Sequence, residues 1–225
     1  MATLLIRLVG PMQSWGGQSR FSERDTLLEP SKSGIIGLLC AAMGIDRSEG
    51  GMVLRLAALR MAVRIDREGV PAYDYQTAQQ VIKASTGKVD ARDHTVTSRR
   101  YYLADAAFTV GLEGDEALLA RAHRALHAPR WPLFLGRKGY LPSAPPYLPS
   151  GLKHQGLLES LARVPLVVPP HARDQQLPTL RYVIEASEGA ARNDVPLGPF
   201  AERRFGTRYV QSVTAKLGEV SRVLE

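Results

Sequence analysis

The sequence predicts an α+β, ferredoxin-like (RRM-like) domain of βαββαβ order, with a long polar insertion and a smaller C-terminal β-rich segment. Three observations predict it. Apolar or alternating runs read as strands near residues 3–9, 60–66, 70–77 and 101–112. Two helical apolar stripes, over 35–43 and 117–126, fall after the first and last of these strands. A polar stretch over 78–98 separates the last two strands and is too long for a simple hairpin turn.

Each element has a local reason. Thr3-Leu4-Leu5-Ile6-Arg7-Leu8-Val9 is a buried strand, and Gly10-Pro11 ends it because Pro brings no ladder donor. Met12-Gln13-Ser14-Trp15-Gly16-Gly17 follows as a loop with one large aromatic and bare backbone. Ser31-Lys32-Ser33-Gly34 then opens the first helix, and a cation with two hydroxyls at a helix N-terminus suits a phosphate. From Arg60 the chain alternates, with Met61, Val63 and Ile65 on one face. Residues 70–77 are expected as its hairpin partner, with Pro71 near the strand start.

The polar stretch carries Lys83, Lys88 and Arg92 and ends beside Arg99 and Arg100, against Asp90 and Asp93. A solvated loop and a basic finger fit these residues equally well. Tyr101 to Leu112 returns as a strand, Asp115 is placed to cap the second helix, and Pro129 stops it. Leu135-Gly136-Arg137-Lys138-Gly139-Tyr140 sets two cations between two glycines, which suits close approach to a sugar-phosphate strand or a plain basic turn. Beyond Ser150, strands are expected at 166–168 and 180–186. The tail interleaves Arg203, Arg204, Phe205, Arg208 and Tyr209.

Composition bounds the function. The 225 residues are 44% hydrophobic and 23% charged, enough for a real core. No apolar run approaches the roughly 20 residues of a membrane span, and the first residues lack a signal-peptide pattern. A lone Cys40 within an apolar helix fits a reducing cytoplasm. Net charge is +7, carried by 23 Arg and 6 Lys. Arg offers both a phosphate fork and a stacking face, although codon usage in a G+C-rich genome would give the same bias. Basicity thus raises the case for nucleic acid without establishing it.

Metal and nucleophile chemistry find little support. One Cys, no Cys-x-x-Cys and no His-Glu-x-x-His argue against a metal, and no cofactor fingerprint is present. His123 and His127 are spaced i, i+4, but Arg121 and Arg124 flank them, so an exposed pair is expected. A metal-independent endoribonuclease is the alternative function. His94, Tyr101 or Tyr102, and Lys88 would supply base, acid and charge if the finger folded over the sheet.

Together these motifs point to one family. Leu8-Val9-Gly10-Pro11-Met12-Gln13-Ser14-Trp15-Gly16 and Pro30-Ser31-Lys32-Ser33-Gly34-Ile35-Ile36-Gly37-Leu38-Leu39 resemble the CasD family, RAMP-superfamily subunits of the type I-E CRISPR Cascade complex. Tyr102 to Val110 and Pro132 to Lys138 resemble two further family motifs. The resemblance implies a RAMP domain over 1–150, a thumb over about 74–100, and a C-terminal extension over 151–225 packed on that domain. It implies a non-catalytic subunit that grips the 5′ handle of the CRISPR RNA and caps the backbone-subunit filament. Contact with the large subunit, and through it indirectly with target DNA, follows, with no membrane partner. By position, Met12, Gln13 and Trp15 would line the handle, and Lys32 and Ser33 would meet phosphate. Arg137 and Lys138 would hold the backbone, and the thumb, with Arg92, Arg99 and Arg100, would wedge at the handle-spacer junction. Two departures stand out: Gly139-Tyr140 replace a common Ser and Cys, and Lys32 stands where Arg is common, exchanging a fork for a point charge.

Overall fold

The computed structural model describes residues 1–17, 22–82, 87–89, 95–168, 179–216 and 219. An α+β architecture with antiparallel sheets emerges. Its first strand, β1 (Ala2–Val9), is apolar on both faces: Leu4, Ile6 and Leu8 enter one core cluster, Leu5 the other. A strand covered on both sides needs a continuous apolar run, which is what residues 3–9 supply. The short strands β2 (Met12–Gln13) and β3 (Glu23–Arg24) follow. Next come helices α1 (Lys32–Met43) and α2 (Gly50–Ala57) and strand β4 (Arg60–Arg67).

Helix α1 starts where Ser31 Oγ accepts the Gly34 N–H at 3.3 Å and stops at Gly44, whose φ of 69° suits the left-handed cap. Strands β5 (Val70–Gln79), β6 (Thr95–Ala104) and β7 (Ala107–Gly114) lead into α3 (Glu116–His127). Asp115 caps α3 by accepting from the Ala117 and Leu118 N–H groups. The chain continues through β8 (Leu152–Lys153), α4 (Leu157–Arg163), β9 (Leu180–Ala186), β10 (Ala190–Pro196) and β11 (Phe205–Ala215).

Seven strands form one sheet in the order β10-β11-β9-β4-β7-β1-β8, with every neighbouring pair antiparallel. Residues of α1, α2 and α3 join the core cluster that holds Leu4, Ile6 and Leu8, whereas Leu157 and Leu161 of α4 join Leu5 in the other. A second sheet sets β2, β5 and β3 around β6, with β3 parallel to it.

Three local expectations are corrected. Strand β5 pairs with β6 along its whole length, not with β4, whose edges are taken by β7 and β9. The expected single strand over 101–112 divides at Asp105 (φ 56°), so that β6 and β7 belong to different sheets. Residues 166–168 form no strand; instead the Val167 N–H donates to Asp66 Oδ2 at 2.9 Å. That carboxylate is part of a buried network. Arg64, fully enclosed, donates to Asp66 and to the carbonyls of Leu161, Val164 and Pro165, binding the end of α4 to β4. A buried cation needs such complete pairing.

Candidate nucleic-acid interface

The site is built around the first turn of α1. The loop after β2 runs beneath it: Gln13 donates from Nε2 to the carbonyls of Leu8 (3.2 Å) and Ala106 (2.8 Å) and is wholly buried. Trp15 is 1% exposed, and a Cβ on Gly34 would fall 2.9 Å from its Cε3, so the helix start rests on the indole. The turn at 133–140 closes against the same loop. Gly136 has a φ of 92°, and a Cβ there would lie 1.8 Å from the Ser14 carbonyl oxygen, so only glycine fits.

The electrostatics of this corner run inward. Lys32 is 2% exposed, and its Nζ lies 2.9 Å from Glu185 Oε1 on β9. Burial pushes the Lys32 ammonium below its ordinary value, and the hydrogen bond to Glu185 opposes that shift. The Lys32 backbone N–H donates to Asp194 Oδ2 at 2.7 Å, and Asp194 is held in turn by Arg208 (Nε, 2.7 Å; Nη2, 2.9 Å). The helix start thus carries a resident carboxylate where a phosphate was expected. An exposed Trp15 for stacking and an exposed Lys32 for phosphate are both at odds with this burial.

Of the other expected residues, Met12 is half-buried on β2, opposite Ala104. Ser33 is half-exposed and lines two adjoining cavities of about 360 and 180 Å³. Arg137 points back into the fold, with Nη2 donating to the Arg24 carbonyl and Nη1 to the Tyr140 hydroxyl, each at 3.0 Å. Lys138 is exposed beside it. Arg92, like His94, lies outside the described residues.

The second sheet gathers the remainder. Tyr73 faces Tyr101 and Tyr75 faces Arg99 across the β5–β6 register, so all four lie on one face. Tyr73 and Tyr75 are 55% and 62% exposed, and the Arg99 guanidinium sits 5.9 Å from the Tyr73 ring centre. Arg100 points to the opposite face, with Nε donating to Ser98 Oγ. Period-2 spacing carried this signal in the sequence, but only with the correct strand partner. Of the two helix histidines His127 is exposed as expected, whereas His123 is half-buried: it stacks on Tyr147 at 4.8 Å, and its Nε2 lies 2.8 Å from the Leu148 carbonyl.

The ribbon thus presents exposed aromatic and cationic side chains on one face, beside a glycine-lined corner. Comparison with known proteins decides the lineage. Residues 3–211 match the family model described as CRISPR-associated protein (Cas_Cas5). The chain belongs to the Cas5 family. It is 34% identical over 148 residues to the Cascade subunit CasD of Escherichia coli (strain K12), a match spanning 60% of this chain and 65% of that subunit. A solved structure described as a Cas protein matches with 48% identity and a TM-score of 0.76, covering 97% of each chain. A chain of a CRISPR RNA-guided surveillance complex matches at 34% identity and TM-score 0.77, covering 96% of this chain and 90% of its own. As a Cas5-family fold, the described structure contains no helix long and apolar enough to cross a membrane.

Proposed function

We propose that this Cas5-family protein is a non-catalytic RNA-binding subunit of a Cascade-type CRISPR surveillance complex in the cytoplasm. The observation that carries the reading is the nearly full-length match to a chain of an RNA-guided surveillance complex. In this reading the protein grips the 5′ handle of the CRISPR RNA, caps the backbone-subunit filament and abuts the large subunit. Residues 1–150 are its ferredoxin-like RAMP domain, and 151–225 are an extension packed on it. The antiparallel order β8-β1-β7-β4, with α1 and α3 as its crossovers, supports that plan. The β5–β6 ribbon is the thumb, and Tyr73, Tyr75 and Arg99 are its contact face. Among the residues of the α1 corner, Ser33 and Lys138 have the exposure that a ligand requires.

Binding of a handle-containing RNA to the purified protein, followed by fluorescence anisotropy across a salt series, tests this. Affinity falls as salt rises, and Lys138→Ala reduces the log–log slope by about one. Arg137→Ala also lowers affinity, because that guanidinium, held by the neutral Arg24 carbonyl and Tyr140 hydroxyl, keeps its full charge. A protein that neither binds the handle nor joins the backbone subunit would defeat the reading.

A further inference from the structure

Helix α3 separates paired from unpaired charge. At its start, Asp115 pairs with Arg55 at 3.2 Å, and Glu116 lies 3.5 Å from His154. Toward its other end the cations stand alone. Arg121 and Arg124 are exposed and three residues apart, so they share one stripe of the helix. Ala117 and Ala128 beside them are exposed too, which keeps the relief low. The chain then turns back over the end of α1. The Arg130 N–H donates to the Ala42 carbonyl at 2.9 Å, and the Trp131 N–H to the Ala41 carbonyl at 3.2 Å. Those bonds fix the turn, yet both side chains stay in solvent, Trp131 with 41% of its surface. Among the described residues, no carboxylate pairs with Arg121, Arg124 or Arg130, and no acceptor takes the Trp131 indole N–H.

The local charge balance narrows the ligand. Cations at a helix C-terminus can simply answer the helix dipole, and the C-termini of α1 and α3 meet here. Each supplies roughly −0.5 charge, which three guanidiniums exceed. The loop after α1 adds Asp46 and Glu49, but Asp46 accepts from Ser48 and Glu49 from the Asp46 N–H, with Arg47 between them. What remains is a donor-only surface with surplus positive charge. It is rigidly mounted, since Leu118, Leu119, Ala122 and Leu126 of α3 are buried. Phosphate oxygens only accept, and guanidinium forks match them. Apart from Trp131 no large apolar side chain is exposed across residues 121–132, so an apolar centre of the kind a protein interface uses is missing. One indole is too little to stack the successive bases of a single strand. The wide major groove of B-form DNA admits a helix between its phosphate rows, whereas A-form RNA narrows that groove, so duplex DNA is the form that fits.

We propose that the C-terminal end of α3 and the turn after it dock the phosphate backbone of duplex DNA. The surface is separate from the α1 corner, because the twelve residues of α1 hold the two about 18 Å apart. Its contacts are to phosphates and independent of base sequence.

The test uses the full chain and a fluorescein-labelled DNA duplex of about 20 base pairs, followed by anisotropy across a salt series. Wild type binds it. Arg121→Ala, Arg124→Ala and Arg130→Ala combined weaken binding about tenfold or more at low salt and lower the log–log slope by about three. The same triple variant leaves the urea midpoint and the affinity for handle-containing RNA nearly unchanged, which separates this surface from the RNA-binding reading. The three changes made to Lys instead preserve the slope. Emission of the exposed Trp131 shifts on adding duplex, and Trp131→Phe abolishes that shift because the buried Trp15 does not respond. Failure of wild type to bind the duplex, an unaltered slope in the triple Ala variant, an equal loss of handle RNA, or tighter binding of a matched RNA duplex would each overturn the proposal. Capture of poly-Glu through the three arginines, with no duplex bound, would overturn it in favour of an acidic protein partner.

Discussion

The α1 corner and the β5–β6 ribbon both carry aromatic and cationic side chains, yet they arrange them in opposite ways. In the corner, Trp15 is enclosed under the helix, and Lys32 is neutralised by Glu185. On the ribbon, Tyr73 and Tyr75 stand in solvent beside Arg99. The difference lies in what covers each surface. Strands β9 and β10 bring the Glu185 and Asp194 carboxylates against the first turn of α1, whereas among the described residues no helix packs over the ribbon's tyrosine face. The same residue types therefore hold the fold together in one place and stand open to solvent in the other.

The contrast can be broken hardest at Trp15. Trp15→Ala removes a fully packed indole and is expected to cost about 4 kcal/mol of unfolding free energy, read from the urea midpoint. A loss below about 1 kcal/mol would mean that the ring is not a core anchor. Glu185→Gln comes next. It leaves the enclosed Lys32 ammonium without its counter-charge, and a loss of about 3 kcal/mol is expected. Unchanged stability would show that Lys32 swings out to solvent, where it could meet phosphate after all.

On the ribbon, stability and binding should separate. Joint replacement of Tyr73 and Tyr75 by Ala is expected to change stability by less than about 1 kcal/mol while weakening handle binding about tenfold or more. Large destabilisation with intact binding would reverse the assignment of the two regions. The smallest effect concerns Cys40, buried in α1, whose thiol is pushed up to about 12 by burial. The folded thiol stays protonated while the unfolded one ionises near 9, so stability falls as pH rises through that interval. Alkylation at pH 8.5 should proceed only in urea; rapid labelling of the native protein would contradict the burial.

Much of the fold was legible because its signals are local. The apolar run of β1, the Ser31 and Asp115 caps, the alternation of β4 and the stripe of α3 each act within a few residues. The partner of β5 was not legible, because Asp105 adopts a positive φ without a glycine to announce the break before β7. The site was harder still. Nothing near Lys32 in the chain shows that Glu185 and Asp194, more than 150 residues away, will surround it. Arg203-Arg204-Phe205 was visible as a basic-aromatic run, but only the β10–β11 pairing carries Phe205 to the start of α1.

That long-range stitching has a consequence for synthesis. On the ribosome, β1 and α1 leave the exit tunnel well before β9, β10 and β11, so the lysine at the helix start waits without Glu185 and the corner lacks its far wall. A nascent polypeptide halted near residue 180 cannot assemble the crevice. Any ligand that needs the complete crevice must therefore wait for the last strand.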